Sequence, residues 1–187
     1  MKTLTSIIII VLILSSCSKD ETLPKPNGYL SLDYPIAKYN PIKGANYSFE
    51  ISKNTIQIID KDNWLKIKYP KINAVVNITY RPIKNNLDEL LFEAKKITTK
   101  HRKKAESIYF ETFNNTKKNV FAQLNNVTGN VASPLQFHAT DKKNHFLTGA
   151  VYFNIQPNYD SIYPAIKYIE RDIQHLLESI AWEKSPK

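Results

Sequence analysis

Phe146-Leu147-Thr148-Gly149-Ala150-Val151-Tyr152-Phe153 is the stretch on which the fold turns. A strand with one wet face alternates apolar and polar residues. This one is apolar on both alternating faces, so it is expected at the centre of a sheet covered on both sides.

Toward the C-terminus, Ile162, Ile166, Ile169, Ile173, Leu176, Leu177 and Ile180 fall at helical spacing. Lys167, Glu170, Arg171, Gln174 and Glu178 occupy the opposite face, which predicts an amphipathic helix laid on that sheet. Asp160 or Ser161 is expected to cap it, with Pro164 in the first turn and Trp182 ending the stripe.

Toward the N-terminus, strands are expected at 107–113, 119–127, 134–140 and 145–154. Asn114-Asn115 and Asp141-Lys142-Lys143-Asn144 supply turns between them. Further back, Leu87, Leu90, Leu91, Ala94, Ile97 and His101 make a second helical stripe, capped at Asn85 or Asn86. Before that helix the period is two. Leu30, Leu32 and Tyr34 alternate with polar residues, as does the run Tyr47-Ser48-Phe49-Glu50-Ile51 after a loop containing Pro41 and Gly44. Leu65, Ile67 and Tyr69 follow, with Lys66 and Lys68 on the wet side. Ala74, Val76, Ile78 and Tyr80 then face one way and Asn77 and Thr79 the other.

The order strands, helix, strands, helix indicates an α+β domain, a largely antiparallel sheet flanked by two main helices. It is similar in element order to the Mog1/PsbP-like fold, an analogy that carries no function.

The N-terminus is an address. Ile7 to Leu14 is an unbroken aliphatic run behind Lys2, the h-region of an export signal and too short to span a bilayer as a helix. Leu14-Ser15-Ser16-Cys17 resembles the lipobox of bacterial lipoproteins, and Cys17 is the only cysteine. Residues 1–16 are thus expected to be a lipoprotein signal peptide and Cys17 the lipidated residue. Residues 17–28, with two prolines and no apolar pattern, are expected to be a tether; 29–183 form one domain and 184–187 a tail. Ser18 in place of an aspartate after the cysteine is compatible with transfer to the outer membrane. Lys19-Asp20-Glu21 resembles an export signal of Bacteroidetes lipoproteins; any polar tether also supplies such a triplet.

The full chain carries a net +9, which outside the inner membrane argues for an acidic surface or partner. Lys95, Lys96, Lys100, Arg102, Lys103 and Lys104 gather at the end of the first helix, after Asp88, Glu89 and Glu93 at its start. That polarity suits the helix macrodipole. A solvated face explains it, and a docking patch for an acidic partner is the sharper reading.

Chemistry-bearing patterns are scarce. His101, His138, His145 and His175 form no His-x-x-x-His or His-Glu-x-x-His pattern, although His138 and His145 flank one turn. No Gly-x-Ser-x-Gly elbow occurs, and four glycines leave little room for a phosphate-cradling loop. No metal, cofactor or catalytic residue is assigned, and no nucleic-acid partner. Eleven tyrosines, eight phenylalanines and two tryptophans are read mainly as core, with sugar stacking as the alternative. Asp160-Ser161-Ile162 matches an O-glycosylation sequon of the Bacteroidetes; the helix-cap role of Ser161 explains the same residues.

Longer motifs then point to a family. Asn27-Gly28-Tyr29-Leu30, Tyr47-Ser48-Phe49-Glu50, Trp64-Leu65-Lys66-Ile67 and Gly129-Asn130-Val131-Ala132-Ser133-Pro134-Leu135-Gln136-Phe137 carry the resemblance. His145 to Phe153 and Asp172-Ile173-Gln174-His175-Leu176-Leu177-Glu178 complete it. Over essentially its whole length the chain resembles the gliding-motility lipoprotein family GldD. It departs from that family's pattern at Thr148, where arginine is common, and at Asn63, where a cysteine often precedes the tryptophan. The resemblance implies an outer-membrane lipoprotein, anchored by palmitate and related acyl groups on Cys17, that serves gliding motility and the linked type IX secretion machinery. It implies protein partners from that apparatus, no enzymatic activity and no catalytic residues. A surface glycan-binding lipoprotein is the alternative, motivated by the aromatic residues and the positive charge.

Overall fold

A computed structural model describes residues 34–59, 64–100, 104–155 and 158–183; the side chain of Lys100 is not described. The expected signal peptide, Cys17, the tether and the first strand up to Asp33 lie outside the described residues.

The architecture is α+β. Ten strands run in chain order: β1 Tyr39–Lys43, β2 Tyr47–Ser52, β3 Ile56–Ile59, β4 Trp64–Tyr69, β5 Ala74–Pro82, β6 Ile108–Asn115, β7 Val120–Val127, β8 Leu135–Thr140, β9 His145–Phe153 and β10 Ala181–Trp182. Helix α1 spans Leu87–Lys100 and α2 spans Tyr159–Ser179; a single 3-10 turn, Pro70–Ile72, links β4 to β5. Seven strands form one antiparallel sheet in the order β3-β4-β5-β9-β8-β7-β6. The quoted stretch is thus its middle strand, as expected, but only one of its faces is sealed: Thr148, Ala150 and Tyr152 on the other are half-buried, so the expected cover on both sides is incomplete. α1 carries the chain from β5 to the far edge, so that four strands return in sequence and close against β5.

Alternation along the strands makes two different faces. On one, Leu65, Ile67, Val76, Ile78, Leu147, Val151, Leu135, Phe137 and Leu124 build a single apolar core with α2 and with Tyr47, Phe49 and Ile51 of β2. Gly149 sits on this face for a steric reason: a Cβ there would stand 2.1 Å from the ring of Phe137, the neighbour across the β8–β9 ladder. α2 supplies the matching stripe, with Ile162, Ala165, Ile166, Ile169, Ile173, Leu176 and Leu177 all buried.

The other face carries Asn77, Thr79, Thr148, Gln136, His138 and Asn125. α1 covers it, and the helix buries little: among its described side chains only Leu90 and Thr98 are buried, while Phe92 is 68% exposed and Ile97 39%. The five-residue apolar stripe expected of α1 is therefore mostly not core. The floor it lies on is polar, so the helix gains little by turning apolar groups toward it.

Several local expectations need correcting. Residues 39–43 form an edge strand of a second, three-stranded sheet, order β1-β2-β10, where a loop was expected. Pro41 is tolerated there because an edge strand has one side with no ladder to donate to. β3 and β10 were not expected at all. Trp182 does not continue the helix; it pairs with Tyr47 in β10. The N-cap of α2 is Asn158, whose side chain accepts from the Ser161 N–H at 3.4 Å, so neither Asp160 nor Ser161 caps the helix. Pro164 consequently lies beyond the first turn, inside the helix. Its missing N–H leaves the carbonyl of Asp160, four residues back and exposed, without the usual helical donor. The turn expected at Asn114-Asn115 falls at 116–119.

Candidate functional site

The strand register lines up the polar face. Trp64 of β4 stands opposite Thr79 of β5, Thr79 opposite Thr148 of β9, Thr148 opposite His138 of β8, and His138 opposite Gln123 of β7. One row of hydrogen-bonding side chains therefore crosses the middle of the sheet, with an indole at one end. The next row runs Asn77, Ala150, Gln136, Asn125. Ala150 is the small residue that leaves depth between them.

α1 is pinned over these rows at two places. Near its C-terminal end the Thr98 hydroxyl donates to Gln136 Oε1 at 2.7 Å and accepts from Asn125 Nδ2 at 3.2 Å. Gln123 Nε2 donates to Asn125 Oδ1 at 2.6 Å, and Gln136 Nε2 to the Ser133 carbonyl at 3.1 Å, so this network is closed. Toward the other end, Arg81 bridges to Glu93 at 2.6 Å. Both partners of that bridge are exposed, where such a pair contributes less than about 1 kcal/mol.

Between the two pins lies a groove of about 270 Å³, walled by Ala94 and Ile97 of α1 and ended by the half-exposed Trp64. Its floor includes Asn77, Thr79, His138 and Thr148. Unlike Thr98, Gln136 and Asn125, the side chains of these four make no hydrogen bond to any described residue. Burial pushes the His138 imidazole below its ordinary value of 6.5, and its ring stacks near that of Phe146, centroids 5.9 Å apart. Among the described residues the lining contains no Lys, Arg, Asp or Glu.

A second polar cluster lies on the α2 side. Asp172 is 4% exposed, the one carboxylate within the buried stripe of α2. The Tyr39 hydroxyl donates to its Oδ1 at 3.0 Å, and Oδ2 has no hydrogen-bond partner among the described residues. Burial raises the Asp172 pKa, partly opposed by hydrogen bonding from Tyr39 and Tyr69. Tyr39 is itself pushed up to about 12, first by burial and then by the carboxylate. One turn along, His175 stacks on the Tyr39 ring at 3.6 Å and pairs with Glu50 at 2.6 Å. These contacts tie the edge of the small sheet to α2.

The residues singled out in the sequence are dispersed. Lys95, Lys96 and Lys104 are exposed, on or just past α1, while the Lys100 side chain, Arg102 and Lys103 lie outside the described residues. Ser161 is half-buried in the first turn of α2. His138 and His145 do not come together: they point to opposite faces, and His145 is buried between the Tyr80 hydroxyl, at 2.9 Å, and the Trp182 ring, at 5.1 Å. His101 is outside the described residues. Among the described residues no three His, Cys, Asp or Glu side chains gather as a metal site would need. The groove itself escaped the sequence reading. Its one visible signal was the polar alternation of Asn77 and Thr79 against an apolar opposite face.

With both faces defined, comparison with known families is informative. Residues 19–182 match the family model described as gliding motility lipoprotein GldD. The chain belongs to that family. The GldD match starts two residues after Cys17 and ends in β10, so it takes in both sheets, both helices and the groove. No curated protein matches the chain. Membership fits a lipid-anchored protein of the membrane that takes part in gliding motility. No described helix is long and apolar enough to cross a membrane.

Proposed function

We propose that this GldD protein is an outer-membrane lipoprotein, held by acyl groups on Cys17, that acts as a non-enzymatic assembly or stabilising factor of the gliding machinery and the linked type IX secretion apparatus. The family match supports the pathway. The anchor reading rests on the aliphatic run and lipobox that end at Cys17. Two acyl chains already hold a protein stably at a membrane.

The observation that carries the assembly role is the open edge at β3. All four of its residues are exposed, including Ile56 at 55% and Ile59 at 70%. Natural sheet edges are normally blunted by charge, proline or cover, because unpaired N–H and C=O groups recruit further strands. Here three isoleucines flank an edge that no described strand pairs with. An extended segment of a protein component of the apparatus would add to it through main-chain hydrogen bonds, with the isoleucines supplying apolar contact.

Crosslinking in intact cells, followed by isolation of the outer membrane and capture through a C-terminal tag, tests this. The protein should be recovered from the outer-membrane fraction with components of the gliding and secretion apparatus. Ile58→Lys, which charges the edge without touching the core, should lose those crosslinks and motility at unchanged abundance. Recovery from the inner membrane, or an Ile58→Lys variant with normal crosslinks and motility, contradicts the reading.

A further inference from the structure

We propose that the groove beneath α1 is a binding site for a neutral saccharide, with Trp64 as the stacking platform and Thr79, Thr148, His138 and Asn77 as its hydrogen-bonding floor.

The groove is set apart by what it lacks. The chain carries a net +9, yet every described residue lining this groove is uncharged. His138 is half-buried, and burial holds its pKa below 6.5, which favours the uncharged ring near pH 7. A phosphate, a carboxylated glycan or an acidic peptide would find no countercharge among the described residues that line it. An acyl chain is also disfavoured, since filling the groove with hydrocarbon would strip water from four polar groups that have no protein partner.

What the floor offers is a mixed set of donors and acceptors. Two hydroxyls, one carboxamide and one neutral imidazole suit a ligand that presents hydroxyl groups, which donate and accept in turn. The row from Trp64 to His138 crosses three strand spacings, about 14 Å, enough to contact successive rings of a short oligosaccharide. An indole that is 48% exposed in the free protein gives a flat apolar face for the C–H side of a sugar ring. The volume, about 270 Å³, lies near the lower end for small-ligand pockets, roughly 300 Å³.

The site owes nothing to the abundance of tyrosine. Tyr47, Tyr69, Tyr80 and Tyr168 are buried, and besides His138 the described aromatic residues at the groove are Trp64, Phe137 and the half-buried Tyr152. It is also independent of the β3 edge and of any role in the gliding apparatus, so either proposal can fail alone.

Calorimetric titration of the full-length protein, in a detergent without a sugar headgroup, provides the test. The probes are cellohexaose, maltohexaose and chitohexaose, with hexagalacturonate and a neutral Ser-Gly hexapeptide as comparators. At least one neutral hexasaccharide should bind and the comparators should not. Thr148→Val should weaken that binding roughly three- to tenfold by removing one hydroxyl, and Trp64→Ala by roughly tenfold or more. Thermal unfolding of both variants confirms that they remain folded, and Thr79→Val replaces Thr148→Val if the latter does not. Failure of all three saccharides to bind, preferential binding of hexagalacturonate or the peptide, or affinity unchanged in the folded variants each overturns the proposal.

Discussion

α2 buries nine residues against strands of both sheets; α1, on the opposite face of the large sheet, buries Leu90 and Thr98 among its described side chains. The two helices read alike in sequence, each with an aliphatic stripe and a charged back. The difference lies beneath them. Under α2 the strands present Ile, Val, Leu and Phe, and under α1 they present Asn, Thr, Gln and His. An apolar stripe gains about 25 cal/mol for each Å² it removes from water, which requires an apolar surface to pack against. α2 has one and α1 does not. One face therefore holds the domain together, and the other is left open for binding.

The largest expected effect separates the faces by truncation. Ile173→Ala, in the sealed core, should cost about 2–5 kcal/mol in urea unfolding, a large part of a domain stability of about 5–15 kcal/mol. Ile97→Ala, on α1 with 39% of its surface exposed, should cost less than about 1 kcal/mol. Equal losses would remove the distinction.

A smaller effect asks what holds α1 in place. Thr98→Val keeps the shape but leaves Gln136 Oε1 without its donor and Asn125 Nδ2 without its acceptor, at a cost of about 1–3 kcal/mol. If the same change is neutral, α1 is held by something other than this network.

How much of this was legible follows from the same contrast. The central position of β9, the stripe of α2 and the α+β order could all be read, because each rests on apolar periodicity over many residues. Three strands could not. β1 contains Pro41, β3 is four residues with no buried face, and β10 is the two residues after a helix. Such segments are strands only because a neighbour pairs with them. The groove was hidden for a related reason. Asn77 and Thr79 were readable as the opposite face of their strand, but their alignment with Thr148 and His138 depends on register between strands distant in sequence. The helical period of α1 gave no sign that its partner surface would be polar. Proximity of His138 and His145 along the chain does not bring their side chains together, since an odd offset across the β8–β9 ladder sends them to opposite faces.

The smallest expected effect is in pH. His138, with its folded pKa lowered by burial, contributes stability that is lost as pH falls from about 6.5 through the folded value. Asp172, with its folded pKa raised by burial, acts in the opposite sense: stability falls as pH rises from 3.8 through the folded value. Urea midpoints measured from pH 4 to 8 should therefore depend less on acid in His138→Gln and less on base in Asp172→Asn than in the unmodified chain. The same slope in all three would mean that neither burial matters to folding.

Native-state hydrogen exchange of the full-length protein tests the division between the faces most directly. The amides of Leu87–Lys100 should exchange through a local opening well below the global unfolding free energy, while those of the buried run in Tyr159–Ser179 exchange only with global unfolding. If both helices exchange at the same free energy, α1 is as firmly seated as α2, and the face beneath it is not the open one.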